Sequence, residues 1–148
     1  MSLKERVNED MKAAMRARET GRLSAIRLLL AAIKQKEVDE RIEADDAQVV
    51  AVVDRLLKQR RDSIEQFEAA GRQDLADRER AEAEVLGAYM PQQASEAEVA
   101  AEIDAALAAT GASGPRDMGR VMAVLKGRLA GRADLTAVSA SVKARLAG

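Results

Sequence analysis

The carboxylates Glu79 and Glu82 are the side chains of this sequence best placed for acid–base chemistry. On a predicted helix they share one face with the apolar residues Leu86 and Tyr89, which partly removes both carboxylates from water. A pair of carboxylates in such surroundings can divide the roles of general acid and general base. Arg60 lies inside the apolar stripe of the preceding helix, and an antiparallel hairpin of the two helices brings it near Glu82.

Two basic residues on an earlier helix extend this group of charges. They lie on the side of that helix that Leu23 and Leu30 define. Partly buried charges must form ion pairs or change their pKa, and carboxylates with basic neighbours are commonly neutralised. We therefore expect a structural ion-pair cluster rather than an active site, made of Arg27, Lys34, Arg60, Glu79 and Glu82.

The residue types that many enzymes use as nucleophiles or bases are missing, since the sequence contains no cysteine and no histidine. This excludes thiol and imidazole catalysis, disulfides, and zinc sites built from these residues. No G-x-S-x-G motif, S-x-x-K motif or glycine-rich phosphate loop occurs, and the serines Ser63, Ser139 and Ser141 lie in helical stretches. We therefore expect no catalytic residue, no bound metal and no cofactor.

A second candidate site is a helix near the end of the chain in which glycines recur on one face. On a helical wheel, residues 116–131 gather their large apolar side chains on one side. The opposite side carries small residues bordered by Arg116 and Arg120, namely Gly119, Ala123, Gly127 and Gly131. Each glycine inside a helix costs roughly 0.5–1 kcal/mol relative to alanine. Such a surface admits a phosphate backbone, a partner helix or another part of this chain, and the sequence leaves these occupants open.

The net charge of the whole chain hides a local basic region. The 148 residues carry 24 basic and 25 acidic side chains, a formal net charge of −1. Residues 112–148 alone carry seven basic and two acidic side chains, a net charge of +5. Such a region favours contact with phosphate groups. The aromatic residues Phe67 and Tyr89 lie outside it, so that base stacking is not expected.

The spacing of apolar residues predicts an all-α fold. We place seven helices at roughly 3–18, 22–42, 46–70, 74–89, 96–110, 116–130 and 135–147. Helix starts are indicated by the capping residues Ser2, Asp45 or Asp46, Asp74, Ser95 and Asp134. Helix ends are indicated by Gly71, Gly111 and Gly131.

Pro91, followed by Gln-Gln-Ala, is the natural break in this pattern. It separates an N-terminal bundle of about four helices, residues 1–92, from a three-helix C-terminal domain, residues 95–148.

The first residues of the sequence and the length of its apolar runs are the features from which we predict where in the cell the protein is found. The longest apolar run, Leu28–Ile33, has six residues and is too short to span a membrane. Acidic residues such as Glu5 and Glu9 stand where a signal peptide would have an apolar core. We therefore expect a cytoplasmic protein with no membrane partner.

Spaced motifs covering nearly the whole chain give the sequence a family resemblance. In the N-terminal half they are 60–67 (RRDSIEQF), 70–75 (AGRQDL), Glu79, Glu82 and 89–91 (YMP). In the C-terminal half they are 117–122 (DMGRVM), 131–134 (GRAD) and 138–143 (VSASVK). The sequence resembles the YqeY family, and its C-terminal half is similar to the tail domain of GatB, the tRNA-binding subunit of the glutamine-dependent aminoacyl-tRNA amidotransferase. Leu135 departs from the pattern, since many family members have glycine there.

The resemblance implies a helical bundle followed by a three-helix domain like the GatB tail. Because that tail contacts tRNA, it also implies tRNA contacts at the matching positions Gly119, Arg120, Gly131 and Arg132. With the neighbouring glycines and cations, the tRNA-binding candidates are Arg116, Gly119, Arg120, Gly127, Arg128, Gly131, Arg132 and Lys143.

The family carries the label of a carbon–nitrogen ligase with glutamine as amido-nitrogen donor. This chain has neither an ATP-binding loop nor an amidase nucleophile, and we therefore expect a non-catalytic accessory module that binds tRNA weakly. The resemblance implies an amidotransferase or an aminoacyl-tRNA synthetase as its protein partner. The alternative is a protein–protein adaptor that docks a partner helix on the stripe of glycines and arginines.

Overall fold

The protein is all-α over residues 1–147, which the computed structural model describes. The seven α-helices of this part of the chain are Leu3–Arg16 (α1), Thr20–Glu40 (α2), Asp46–Ala69 (α3), Gln73–Gly87 (α4), Glu96–Thr110 (α5), Met118–Leu129 (α6) and Leu135–Ala147 (α7). A short 3-10 helix, Pro115–Asp117, directly precedes α6. The predicted fold class is confirmed, and the predicted helix ends differ from these bounds by no more than two residues.

Side-chain caps begin three of the helices at the predicted residues. Ser2 forms a capping box with Glu5, and Asp45 forms a second one at the start of α3. At α5, Ser95 Oγ accepts a hydrogen bond from the amide of Glu98 at 3.1 Å. These caps satisfy amide groups that have no partner inside the first helical turn.

The predicted cap of α4 at Asp74 is wrong. This helix begins one residue earlier, and Asp74 lies within its first turn. There it accepts a hydrogen bond from Arg72 Nε at 3.2 Å, and this bond lowers the pKa of the Asp74 carboxyl. Asp134, in contrast, directly precedes α7 and accepts a hydrogen bond from the amide of Thr136 at 3.0 Å.

Residues with left-handed backbone follow several helices. Gly71, Gly111 and Gly131 have φ angles of 71°, 63° and 75°, as predicted for glycines at helix ends. Arg18 and Arg41 also have positive φ angles, 57° and 54°, after α1 and α2. No sequence signal predicts these two, because arginine adopts this conformation only where the surrounding structure imposes it.

The first compact unit spans Met1–Met90 and contains α1 to α4. Helices α3 and α4 form an antiparallel hairpin about Gly71, since residues at equal chain distances from this glycine, such as Arg60 and Glu82, lie in contact. The buried core of the unit is mostly aliphatic and includes Val7, Ile26, Leu29, Ile33, Val49, Val53 and Leu86.

Glu37 links three elements of this unit. Its Oε2 accepts hydrogen bonds from Lys4 Nζ of α1 at 2.7 Å and from the Ala44 amide before α3 at 2.8 Å. Only 10% of the Glu37 side chain is exposed. The Lys4 bond, followed by the Ala44 bond, holds the pKa of the Glu37 carboxyl below its usual value.

We expect Glu37 to make the stability of the protein depend on acidity. Because folding lowers its pKa, its contribution is complete above the ordinary carboxyl value of 4.5 and is lost as the pH falls through the lowered pKa. Below pH 4.5 the free energy of unfolding of Glu37→Gln should therefore change less steeply with pH than that of the wild type. Urea melts at several pH values measure both slopes. Glu40→Gln is the control, since Glu40 forms an exposed pair with Lys36, and equal slopes in all three proteins would contradict the expectation.

The second compact unit begins at Pro91. Helix α6 packs against both α5 and α7, and the buried cluster of the unit includes Ile103, Val121, Leu125, Leu129, Val138 and Val142. Residues 91 and 92, predicted as the end of the N-terminal bundle, and residues 93 and 94, predicted to lie between the domains, belong to this unit. A backbone hydrogen bond connects this segment to the turn before α7, because the Ala94 amide donates to the Arg132 carbonyl oxygen at 2.8 Å.

Candidate nucleic-acid interface

The exposed side of α6 carries most of the predicted glycine stripe. Gly119, Ala123 and Gly127 are exposed there, whereas Val121 and Leu125 are buried. A Cβ atom placed on Gly119 or Gly127 would meet no described atom of the C-terminal unit within 4 Å. Packing by α5 or α7 therefore does not explain these glycines. We call the surface of Gly119, Ala123 and Gly127 the glycine face.

Gly131 does not belong to the glycine face. Helix α6 ends at Leu129, and Gly131 lies half-buried in the turn before α7 with a φ angle of 75°. The helical wheel placed it on the stripe because the wheel extended the helix beyond its actual end. Its left-handed backbone gives this glycine a local reason to be glycine.

Arg120, a predicted tRNA contact, holds the connection between α5 and α6. Its Nη1 donates to the Thr110 carbonyl oxygen at 3.3 Å, and its Nη2 donates to Asp117 Oδ1. Asp117 Oδ2 also accepts hydrogen bonds from the amides of Ser113 and Gly114 at 2.9 and 3.3 Å. The Ser113 amide, followed by the Arg120 guanidinium, lowers the pKa of the Asp117 carboxyl. Part of the role of Arg120 is therefore structural.

Arg132, the second arginine matched to the GatB tail, is also engaged within its own unit. Its Nε donates to the Gln92 carbonyl oxygen at 3.1 Å, and its Nη2 donates to Glu98 Oε2 at 3.0 Å. About one third of its side chain is exposed, 34%. These bonds fasten the segment before α5 to the turn before α7, and they use two of the five N–H donors of the guanidinium.

Two further basic side chains pair with acidic residues of α5. Arg128 Nη1 lies 3.1 Å from Glu102 Oε2, and Arg145 Nη2 lies 2.6 Å from Asp104 Oδ1. Exposed pairs of this kind stabilise a fold by only about 0–1 kcal/mol. They nevertheless neutralise part of the positive charge counted in this region of the sequence.

Three basic residues remain outside the ion pairs found within residues 91–147, and all are exposed: Arg116, Lys126 and Lys143. Lys126 lies three residues after Ala123 on α6 and borders the glycine face, and Arg116 lies three residues before Gly119, in the 3-10 helix that directly precedes α6. Lys143 lies on α7 instead. Sequence reasoning missed Lys126 as a site residue, although its spacing from Ala123 gives the signal.

The predicted cluster of Arg60, Glu79 and Glu82 exists across the hairpin of α3 and α4. Arg60 Nε lies 2.9 Å from Glu82 Oε2 and 3.0 Å from Glu79 Oε2, and 14% of the Arg60 side chain is exposed. The single Nε–H is donated to Glu82. Glu79 Oε2 is consequently buried without a hydrogen bond among residues 1–147. The geometry is that of a structural ion-pair cluster.

Arg27 and Lys34 lie outside that cluster, contrary to the prediction. Both are exposed on α2, where Arg27 Nη2 lies 3.9 Å from Met15 Sδ. The prediction took Leu23 and Leu30 as the centre of the buried side of α2. Its fully buried residues are instead Ala25, Ile26, Leu29 and Ile33, which turns the two basic side chains toward solvent.

No group of three or more acidic side chains in residues 1–147 is arranged to hold a metal ion. No helix in this part of the chain combines the length and the apolar character needed to cross a membrane. Within residues 91–147, the glycine face with Arg116 and Lys126 beside it is the candidate site for a phosphate-bearing ligand.

Curated relatives of this chain are fungal proteins named altered inheritance of mitochondria protein 41, mitochondrial. The protein of Lachancea thermotolerans is 39% identical over 100 residues, which cover 66% of this chain and 54% of the relative. That of Eremothecium gossypii is 39% identical over 104 residues, covering 68% and 57%. That of Saccharomyces cerevisiae is 38% identical over 84 residues, covering 56% and 45%. The chain thus spans about half the length of the curated relatives it matches.

The names of these relatives contradict the cytoplasmic location expected from the sequence, because they describe mitochondrial proteins. The expectation rested on acidic residues near the start of this sequence. The acidic composition of residues 1–10 did not predict the location that the relatives' names give. The matched region covers only 54–57% of the first two relatives.

A family comparison covers almost the entire chain. The model described as Yqey-like protein matches residues 4–146 and therefore includes both compact units. It includes the hairpin with Arg60 as well as the glycine face of α6. The chain belongs to the YqeY family.

Proposed function

We propose that this protein is a non-catalytic accessory module that binds tRNA weakly, through phosphate groups seated on the glycine face of α6. The observation that carries the proposal is the open space beside Gly119 and Gly127, bordered by Arg116 and Lys126. The GatB-like motifs of the C-terminal half support tRNA as the ligand. They also support an amidotransferase or an aminoacyl-tRNA synthetase as the protein beside which the module acts.

Two glycines of the glycine face lie within α6, Gly119 in its first turn and Gly127 in its last turn. Glycine is a poorer helix former than alanine, and packing within the C-terminal unit requires neither residue. Without a Cβ at Gly119 and Gly127, a ligand backbone can approach the helix closely.

The charges on the borders of this face suit phosphate. Arg116 lies in the 3-10 helix before α6 and Lys126 in the last turn of α6, ten residues later, so they can contact different phosphates. The C-terminal unit contains no aromatic residue for base stacking. Binding should therefore be tolerant of sequence and should weaken steeply as salt is added.

A protein–protein adaptor is the second candidate function. It is favoured by an open groove of about 800 Å³ between α5 and α7 in the same unit. Apolar side chains line much of this groove, among them Val99, Ile103 and Val138. A partner helix could dock in such a groove, and that function requires no tRNA binding.

Charge-neutralising variants test the proposal. We expect Arg116→Gln and Lys126→Gln each to reduce the slope of log affinity for tRNA against log salt by about one, because each removes one phosphate contact. Titration of labelled tRNA between about 50 and 200 mM salt measures the slope. Arg128→Gln is the matched control, since this arginine is paired with Glu102. Equal losses in all three variants would show that general charge, and not this face, binds the RNA.

A further inference from the structure

The exposed side of α2 carries large apolar side chains that the N-terminal unit does not bury. Leu28 and Val38 are 41% and 60% exposed. Met15, near the end of α1, is exposed as well, and its Sδ lies 3.9 Å from Arg27 Nη2 of α2. These are three of the four exposed large apolar side chains in the described part of the chain. Single exposed apolar residues are common on proteins, but a group of them on neighbouring helix surfaces indicates a contact surface.

The spacing of residues on this side of α2 is that of a coiled-coil seam. Leu28, Ala31, Gln35 and Val38 follow one another at intervals of three, four and three residues, and all four are exposed. They therefore occupy successive a and d positions of two heptads. Leu28 and Val38 lie about 15 Å apart along the helix axis, and the small side chain of Ala31 lets a facing helix approach between them. We call these four residues the α2 seam.

Two basic side chains follow one edge of the α2 seam. Arg27 and Lys34 occupy the g positions of the same two heptads, and both are exposed. Neither belongs to an ion pair found within the N-terminal unit. The e positions of the other edge hold Ala32 and Asp39, and Asp39 Oδ1 accepts a hydrogen bond from Gln35 Nε2 at 2.8 Å. One edge of the seam is thus basic and has no acidic partner in its own unit.

We propose that the α2 seam docks one acidic amphipathic helix of a partner protein. Apolar side chains of that helix pack on Leu28 and Val38, and its carboxylates pair with Arg27 and Lys34. Charge complementarity selects this occupant, because two cations at g positions attract a helix with acidic side chains beside its own seam. The surface lies in the N-terminal unit and is a different site from the glycine face.

Other occupants fit the α2 seam less well. In an antiparallel pair with a second copy of this chain, the g positions of both helices lie together, so Arg27 and Lys34 would repel their own copies. In a parallel pair, Lys34 would meet Asp39 of the second copy, but Arg27 would meet Ala32. An anionic membrane surface is bound by helices with a broad apolar face, whereas the seam is a narrow stripe.

Two designed peptides test the docking surface. Each has about three heptads with leucine at the a and d positions. The acidic peptide has glutamate at its e and g positions and the basic peptide has lysine there, so that like charges keep each from pairing with itself. Fluorescence anisotropy of the labelled peptides measures their affinity for the full chain. We expect the wild type to bind the acidic peptide about tenfold or more tightly than the basic one.

Charge reversal separates the α2 seam from the charge of the whole protein. Arg27→Glu/Lys34→Glu should exchange the two affinities, so that this variant binds the basic peptide more tightly. Arg61→Glu/Arg78→Glu is the matched control, because it changes the net charge equally at exposed positions of α3 and α4. The control should keep the preference for the acidic peptide. Urea melts show whether each variant is folded.

Truncation of the apolar residues gives a second readout. Leu28→Ala/Val38→Ala should weaken binding of the acidic peptide about tenfold or more, since it removes the apolar contacts and leaves the charges. Absence of peptide binding by the wild type, or one peptide preference shared by Arg27→Glu/Lys34→Glu and its control, would overturn the proposal.

Two further results would replace the partner helix by another occupant and would also overturn the proposal. A wild-type protein that sediments as a dimer, and as a monomer after Leu28→Glu, would assign the α2 seam to a second copy. Binding to phosphatidylcholine vesicles that contain phosphatidylserine, lost in Arg27→Glu/Lys34→Glu and without any binding of the acidic peptide, would assign it to a membrane surface.

Discussion

Replacing Arg60 by alanine is expected to lower the free energy of unfolding of the N-terminal unit by about 2–3 kcal/mol. Arg60 Nε lies within 3.0 Å of both Glu79 and Glu82, and most of its side chain is buried. Its removal leaves two neighbouring carboxylates without a cation, and one of them already has a buried oxygen that lacks a hydrogen bond. The expected loss lies between the values typical of exposed and buried pairs, because the cluster is partly exposed.

Arg80→Ala is the matched control for this expectation. Arg80 also joins α3 to α4, through Glu68, and it pairs with Asp77, but about half of its side chain is exposed. Its removal should cost less than about 1 kcal/mol. Urea melts of both variants measure the difference. If Arg60→Ala lost no more stability than Arg80→Ala, the cluster would be solvated and its structural role would be disproved.

Replacing Gly127 by leucine is expected to have opposite effects on stability and on tRNA binding. Leucine is the better helix former, so the free energy of unfolding should rise by about 0.5–1 kcal/mol. The side chain has room to point into solvent, since no described atom of the C-terminal unit lies within 4 Å of its Cβ position. On the glycine face, however, the leucine side chain would keep a phosphate backbone away from the helix. Affinity for tRNA should fall about tenfold or more.

The smaller substitution Gly127→Ala separates the two effects. A methyl group increases the helix propensity but projects only slightly from the glycine face. We therefore expect Gly127→Ala to raise the free energy of unfolding and to retain most of the affinity for tRNA. Loss of stability in Gly127→Leu would contradict the exposure of this face. It would indicate that the glycine serves close packing instead.

The sequence predicted the hairpin cluster because two simple signals agree. Gly71 marks the turn between two long amphipathic helices, and Arg60 and Glu82 lie at equal distances from it along the chain. The register of the hairpin follows from that turn. Arg27 and Lys34 were misplaced because α2 has apolar residues on several sides, so the helical wheel does not single out its buried face.

The roles of Arg120 and Arg132 could not be predicted in the same way. Both arginines donate to backbone carbonyl oxygens, of Thr110 and Gln92, which every residue possesses and no side-chain pattern marks. Both also lie near helix ends, where the path of the chain decides which carbonyl is within reach. The helical period of α6 predicted which residues share the glycine face, but the sequence left open whether another part of this chain covers that face.

The most direct test of the phosphate-binding face compares three proteins in one tRNA titration at about 50 mM salt, where electrostatic binding is strongest. These are the wild type, Gly127→Leu and Ala140→Leu, which adds the same side chain at an exposed position of α7. The wild type and Ala140→Leu should bind alike, and Gly127→Leu should bind about tenfold more weakly. Absence of binding by the wild type, or equal binding by all three proteins, would contradict tRNA recognition through the glycine face.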